Sequence, residues 1–134
     1  TGGLIGQRLT AIPGSSADVR GGVIAYHNEV KSGVLGVPED LLRVHGAVSE
    51  PVAAAMADGV RSLTASDIGV SVTGIAGPDG GTPEKPVGLV FIAVADGHRT
   101  RVEKLRLGGG RDVIRESAAT MALDLARKMM ENRY

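Results

Sequence analysis

The chain has 134 residues, with 15 basic and 15 acidic side chains, 20 glycines and no cysteine. That length suits one domain with a real core, and the cancelled charge argues against nucleic acid or an anionic membrane surface held by bulk electrostatics. Without cysteine there is no disulfide, no thiolate nucleophile and no cysteine-based zinc site.

The elements follow in chain order. Thr1 reads as the N-cap of a helix from Gly2 to about Thr10, with Leu4, Ile5 and Leu9 on one face. A helix opening Thr-Gly-Gly usually follows a strand, so a preceding N-terminal segment is expected. Pro13-Gly14-Ser15-Ser16 is a turn. Gly21 to Tyr26 reads as a strand, and Asn28 as the cap of a short helix, Glu29 to Leu35, stopped by Gly36. Pro38 fits the first turn of a helix running through Val44. Ser49 caps a longer helix with Val52, Met56, Val60 and Leu63 on one stripe.

A strand from Asp67 to Val72 follows, then a glycine- and proline-rich loop over residues 73–88, then an apolar strand from Val87 to Ala95. Asp96-Gly97 signals a hairpin into a weaker strand, Arg99 to Leu107. Gly108 to Gly110 break that strand. A terminal helix, Arg111 to Asn132, carries Ile114, Ala118, Met121, Leu125 and Met129 inward. Strands interleaved with amphipathic helices predict a layered α/β domain with a mixed sheet.

Four features bear on chemistry. The 73–88 loop is long for a connection between core strands, and such loops are functional or mobile more often than short ones; an ordinary surface loop is the plainer alternative. Second, Lys31 lies in the first turn of its helix, where the helix dipole disfavours an ammonium; burial lowers a lysine pKa further. A neutral amine can take a proton from a serine hydroxyl such as Ser16, and Tyr26 can relay or donate one. A solvated helix lysine and a core tyrosine are the bland alternatives. Third, Thr1-Gly2-Gly3 and Gly108 to Arg111 open helices with free N–H groups suited to phosphate or carboxylate, the second with Arg111 and Arg115 to hand; simple caps and turns are the favoured reading of each taken singly. Fourth, His45 to Glu50 is a capped loop, where Ser49 serves as the cap. His27, His45 and His98 lack metal-ligand spacing, so no metal is expected. Stacking platforms are scarce, with Tyr26, Phe91 and Tyr134 the only aromatics, which counts against single-stranded nucleic acid. No apolar run reaches the roughly 18 residues of a membrane span and no signal peptide is visible.

Taken together, these segments resemble the C-terminal domain of CinA-like proteins, which includes stand-alone nicotinamide mononucleotide deamidases. The matching residues are Thr1-Gly2-Gly3, Pro13 to Ser16, Gly21-Gly22-Val23, Tyr26 to Lys31, Leu35-Gly36-Val37, His45 to Glu50 and Thr73 to Gly88. The resemblance implies a single-domain α/β fold, a three-layer α/β/α sandwich with a mixed central sheet. It implies hydrolysis of the mononucleotide carboxamide to nicotinic acid mononucleotide and ammonia, with no cofactor. It also implies a cytoplasmic homodimer whose partner is a small-molecule nucleotide, with no nucleic acid and no membrane.

Carried over by position, Ser16, Tyr26 and Lys31 form the catalytic centre. Thr1, Gly2, Gly3, Asn28, Ser49, Thr73, Gly74, Ile75, Ala76, Gly77, Pro78 and Arg111 hold the substrate. In the resembled pattern a helix, a strand and a Glu-Ser-Cys segment precede Thr-Gly-Gly, and that serine is a second candidate nucleophile. His27 stands where the pattern usually has serine. A non-catalytic nucleotide-binding or regulatory domain is the alternative, and a Ser/Lys peptidase is a third for which nothing suggests a peptide groove.

Overall fold

The computed structural model describes residues 1–132. Helices α1 (Leu4–Thr10), α2 (Asn28–Gly33), α3 (Glu39–His45) and α4 (Glu50–Thr64) precede strands β1 (Gly69–Gly74), β2 (Leu89–Ala95) and β3 (Thr100–Arg106), and α5 (Arg111–Met130) closes the order.

The strands lie in the order β1-β2-β3. Both pairings are antiparallel, with Val72 opposite Ile92 and Ile92 opposite Glu103. Strand β2 is buried along its whole length, because helices cover both faces. Val90, Ile92 and Val94 pack with Ile114, Ala118, Ala122 and Leu125 of α5. On the other face Leu89, Phe91, Ala93 and Ala95 meet Ala53 and Ala57 of α4. The result is helix, sheet, helix, as the α/β expectation has it. A satellite cluster of Leu35, Val37, Val52 and Met56 ties the α2 region onto the outer side of α4. Among the described residues, no helix is long and apolar enough to cross a membrane.

The contact between α4 and its neighbours is unusually close. A Cβ at Gly69 would lie 2.8 Å from Arg61 Cβ and 3.1 Å from the Arg61 nitrogen. A Cβ at Gly59 would overlap the Leu35 carbonyl oxygen and lie 3.0 Å from its carbonyl carbon. These glycines set how near β1 and the end of the α2 segment come to the helix.

Several expectations are corrected. Gly21 to Tyr26 is not a strand: it carries no ladder, and the sheet of the described residues is antiparallel rather than mixed. Val23 and Ala25 pack against the Leu35 and Val52 cluster instead. Helix α1 starts at Leu4 with Gly3 as its cap at φ +94°, so Thr1 does not cap it. His27, not Asn28, caps α2. Pro38 is the cap of α3, one residue ahead of its first turn. On α5 the inward stripe runs through Ala122 and leaves Met121 exposed, and Leu63 of α4 is exposed as well. In both helices alanines, not the larger residues, face the sheet where the layers are closest.

Candidate functional site

Lys31 sits on α2 and is 6 % exposed. Its Nζ donates to the carbonyl oxygens of Ala25 at 2.9 Å and Tyr26 at 3.5 Å. Burial lowers its pKa from the ordinary lysine value. The two carbonyls accept two N–H groups of this nitrogen in either protonation state, and only the neutral amine keeps a free lone pair. That is the form a general base needs.

Positive charge gathers beside it. Arg115, Arg111 and Lys31 all lie within electrostatic range of Thr1. Arg115 Nη2 donates to the Thr1 carbonyl at 3.1 Å, and a Cβ at Gly2 would stand 3.5 Å from that nitrogen. Arg111 Nη1 donates to the Gly77 carbonyl at 2.8 Å. Each guanidinium has five N–H donors, so both keep donors for a ligand. Two glycine-marked turns therefore meet here, Thr1-Gly2-Gly3 and the start of the 73–88 loop, each held by an arginine of α5.

The loop is fixed at several points. Gly88 N–H donates to Ile75 O at 2.8 Å and Ile75 N–H to Leu89 O at 3.0 Å, closing the stem. Thr82 and Lys85 close the tip, through Thr82 N to Lys85 O at 2.9 Å and Lys85 N to Thr82 Oγ1 at 3.0 Å. Thr73 Oγ1 donates to Ala47 O at 2.8 Å, and Lys85 Nζ donates to His45 O. The Gly77–Pro78 peptide is cis. Pro78, Gly81, Pro86 and Val87 line a shallow groove along the loop.

The predicted residues therefore separate. Thr1, Gly2, Gly77 and Arg111 gather near the start of α5, Gly3 follows on the same turn, and Lys31 lies within electrostatic range of Thr1. Thr73 and Ser49 are buried and committed to the backbone, Ser49 Oγ donating to Gly46 O at 2.8 Å rather than to an N–H of α4. Gly74 ends β1, Ile75 sits in the loop stem, and Ala76 packs on the α5 core. Asn28 is exposed on the first turn of α2, and Pro78 is exposed on the loop. Ser16 is exposed on a 3₁₀ turn, Ser15–Ala17. The Tyr26 side chain points outward and the residue is 80 % exposed; only its carbonyl meets Lys31. Among the described residues neither the Ser16 nor the Tyr26 hydroxyl makes a hydrogen bond. Arg115, already named with Arg111 at the same helix start, joins the site through the Thr1 carbonyl. Its signal was the helical i,i+4 spacing, which puts both arginines on one face.

Comparison with known proteins gives one consistent answer. The family described as the CinA C-terminal domain matches residues 1–130. A CinA-like protein of Gemmatimonas aurantiaca is 59 % identical over 128 residues, covering 96 % of this chain and 30 % of that protein. The chain thus spans about a third of the length of the curated relatives it matches. Among solved structures, the competence/damage inducible protein CihA from Agrobacterium tumefaciens superposes with TM-score 0.91 at 42 % identity, over 93 % of this chain and 77 % of that one. The competence damage-inducible protein A (ComA) from Klebsiella pneumoniae gives TM-score 0.93 at 30 % identity, over 99 % and 83 %.

Proposed function

This chain belongs to the CinA C-terminal domain family, and from that premise we propose that it hydrolyses the carboxamide of nicotinamide mononucleotide to nicotinic acid mononucleotide and ammonia. The observation that carries the proposal is the buried Lys31 amine beside Arg111 and Arg115. A base next to a cationic cluster suits a neutral amide joined to a phosphate.

In this mechanism neutral Lys31 takes the proton of a serine hydroxyl. Ser16 attacks the carboxamide carbon, or assists the serine of an upstream Glu-Ser-Cys segment. The C–O bond forms and a tetrahedral oxyanion results, steadied by loop N–H groups. The C–N bond then breaks as Tyr26, or Lys31 in its protonated form, gives a proton to the departing ammonia. Water attacks the acyl-enzyme and releases the acid. Arg111 and Arg115 receive the phosphate. The partner is the nucleotide alone, and the working form is a cytoplasmic homodimer.

The test is ammonia release from nicotinamide mononucleotide, the riboside and free nicotinamide, on this chain and on one extended upstream. Release from the mononucleotide supports the proposal; release from none sinks it. A second reading, a nucleotide-binding module without turnover, draws on the outward Tyr26 ring and the unbonded Ser16 hydroxyl. Calorimetric binding of the mononucleotide with no ammonia formed would favour it.

A further inference from the structure

Helix α2 is six residues long, too short to be stable through its own ladder. Its amides at Glu29, Val30 and Lys31 all end on His27, and the ring takes the first of them. Glu29 N–H donates to His27 Nδ1 at 3.2 Å. Val30 and Lys31 N–H donate to the His27 carbonyl at 3.0 and 3.3 Å. The last of these amides belongs to Lys31, whose Nζ turns back to the carbonyls of Ala25 and Tyr26, just ahead of His27. Residues 25 to 31 thus form a closed loop with His27 as its pivot. The Lys31 backbone N–H bonds His27 itself, and its amine bonds the two carbonyls just ahead of His27.

We propose that His27 is a positioning residue for the Lys31 amine, acting through its ring cap on α2, and that protonation of the ring releases that cap. The proposal rests on the assignment of Lys31 as the base.

The chemistry is that of the two ring nitrogens. A neutral imidazole with its proton on Nε2 offers a lone pair at Nδ1; in the imidazolium both nitrogens are donors. Protonation therefore replaces an N–H···N bond with two donors facing each other, at the positive end of a helix. Histidine is the side chain whose charge ordinarily changes between pH 5 and 8. A serine hydroxyl at this position, as in the resembled pattern, would cap α2 at every pH. The ionisable groups around this turn are Tyr26 before it, Glu29 and Lys31 on α2, and Arg111 and Arg115 of α5, which share the Thr1 neighbourhood with Lys31. Asp112, 3.8 Å from Arg115, is a second carboxylate of this set, and Glu29→Gln separates the carboxylate on α2 itself from the ring.

The experiment compares wild type, His27→Ser, His27→Ala and Glu29→Gln in the full chain. Amide exchange at Glu29, corrected for its chemical rate, is followed from pH 5 to 8, and the Lys31 side chain is titrated by NMR at Cε. Wild type and Glu29→Gln lose about fivefold or more of the Glu29 protection towards pH 5, His27→Ser keeps it, and His27→Ala lacks it throughout. In His27→Ala the Lys31 titration moves towards the ordinary lysine value, and in His27→Ser it stays as in wild type. For the mononucleotide, kcat falls about fivefold in His27→Ala with KM unchanged and recovers in His27→Ser. If His27→Ala does not fold, His27→Ser against wild type still decides the pH dependence. Protection that ignores pH in the wild type overturns the proposal, as does a Lys31 titration untouched by His27→Ala. A wild type that releases no ammonia defeats the amidase assignment instead, and leaves exchange and titration to judge the cap.

Discussion

Replacing Gly59 by alanine sets two effects of opposite sign against each other. Gly59 lies inside α4, where alanine is favoured over glycine by about 1 kcal/mol. Its Cβ, however, would overlap the Leu35 carbonyl oxygen and lie 3.0 Å from the carbonyl carbon and 3.3 Å from Cα. All three are backbone atoms, so no side-chain rotation relieves the clash. The Leu35 backbone is held in turn, its N–H bonding Val30 O, with Val37 N–H on Lys31 O two residues on. Overpacking of this kind costs ~1–3 kcal/mol and occasionally more. With the contact on backbone, the upper part of that range applies, and the net destabilisation is about 1–2 kcal/mol. At a urea slope of ~1–3 kcal/mol/M the midpoint falls by roughly 0.3–2 M, with the slope unchanged. Gly6, inside α1, is the control: a Cβ there meets nothing within 4 Å, and Gly6→Ala should gain ~0.5–1 kcal/mol. A Gly59→Ala variant as stable as wild type would show that the Leu35 backbone after α2 is not in contact with α4, and with it the packing of the segment that carries Lys31 would fall.

Other outcomes follow from the site. Lys31→Arg keeps the charge but cannot supply a neutral base, so kcat for ammonia release should drop at least ~100-fold; an unchanged kcat removes Lys31 from the chemistry. Because burial lowers the Lys31 pKa, the unfolded chain binds more protons between that lowered value and 10.5. Stability should therefore rise with pH through this window, and Lys31→Met should flatten the slope in urea titrations at successive pH values. Arg115→Ala removes a guanidinium near the Thr1 turn and should raise KM for the mononucleotide about tenfold while sparing the riboside; equal effects on both would deny it the phosphate. Asp96 Oδ1 accepts the N–H groups of Arg99 and His98 at 2.9 Å each, and these bonds, the Arg99 one first, hold its pKa below 3.8. Its contribution to the β2–β3 turn is present above that value and lost as pH falls through the lowered one. Exchange protection of those two amides, measured downwards in pH, checks this, and protection that survives full protonation refutes it.

The local elements were largely legible in the residues themselves. The apolar run that became β2, the Asp96-Gly97 turn and the start of α5 at Arg111 each express a short-range preference, for burial, for a tight turn and for a free helix end. Lys31 stood out as a cation expected in the first turn of a helix, although α2 is so short that Lys31 falls in its last turn. Side-chain direction did not follow so easily. Tyr26 lies on the same short stretch as Lys31, yet its ring is exposed and only its carbonyl meets the amine, because neighbours in sequence share no face unless the backbone turns them together.

Composition, charge pattern and hydrophobic spacing thus determined the α/β class, most element positions and the candidate base. Tertiary structure alone decided that Gly21 to Tyr26 pairs with no strand, that Arg111 and Arg115 reach Gly77 and Thr1, and that His27 holds the turn beneath Lys31. The physical reason is range. Propensity and periodicity act over a few residues, whereas burial of an amine and the meeting of groups more than 100 positions apart, as with Arg115 and Thr1, depend on how the layers stack.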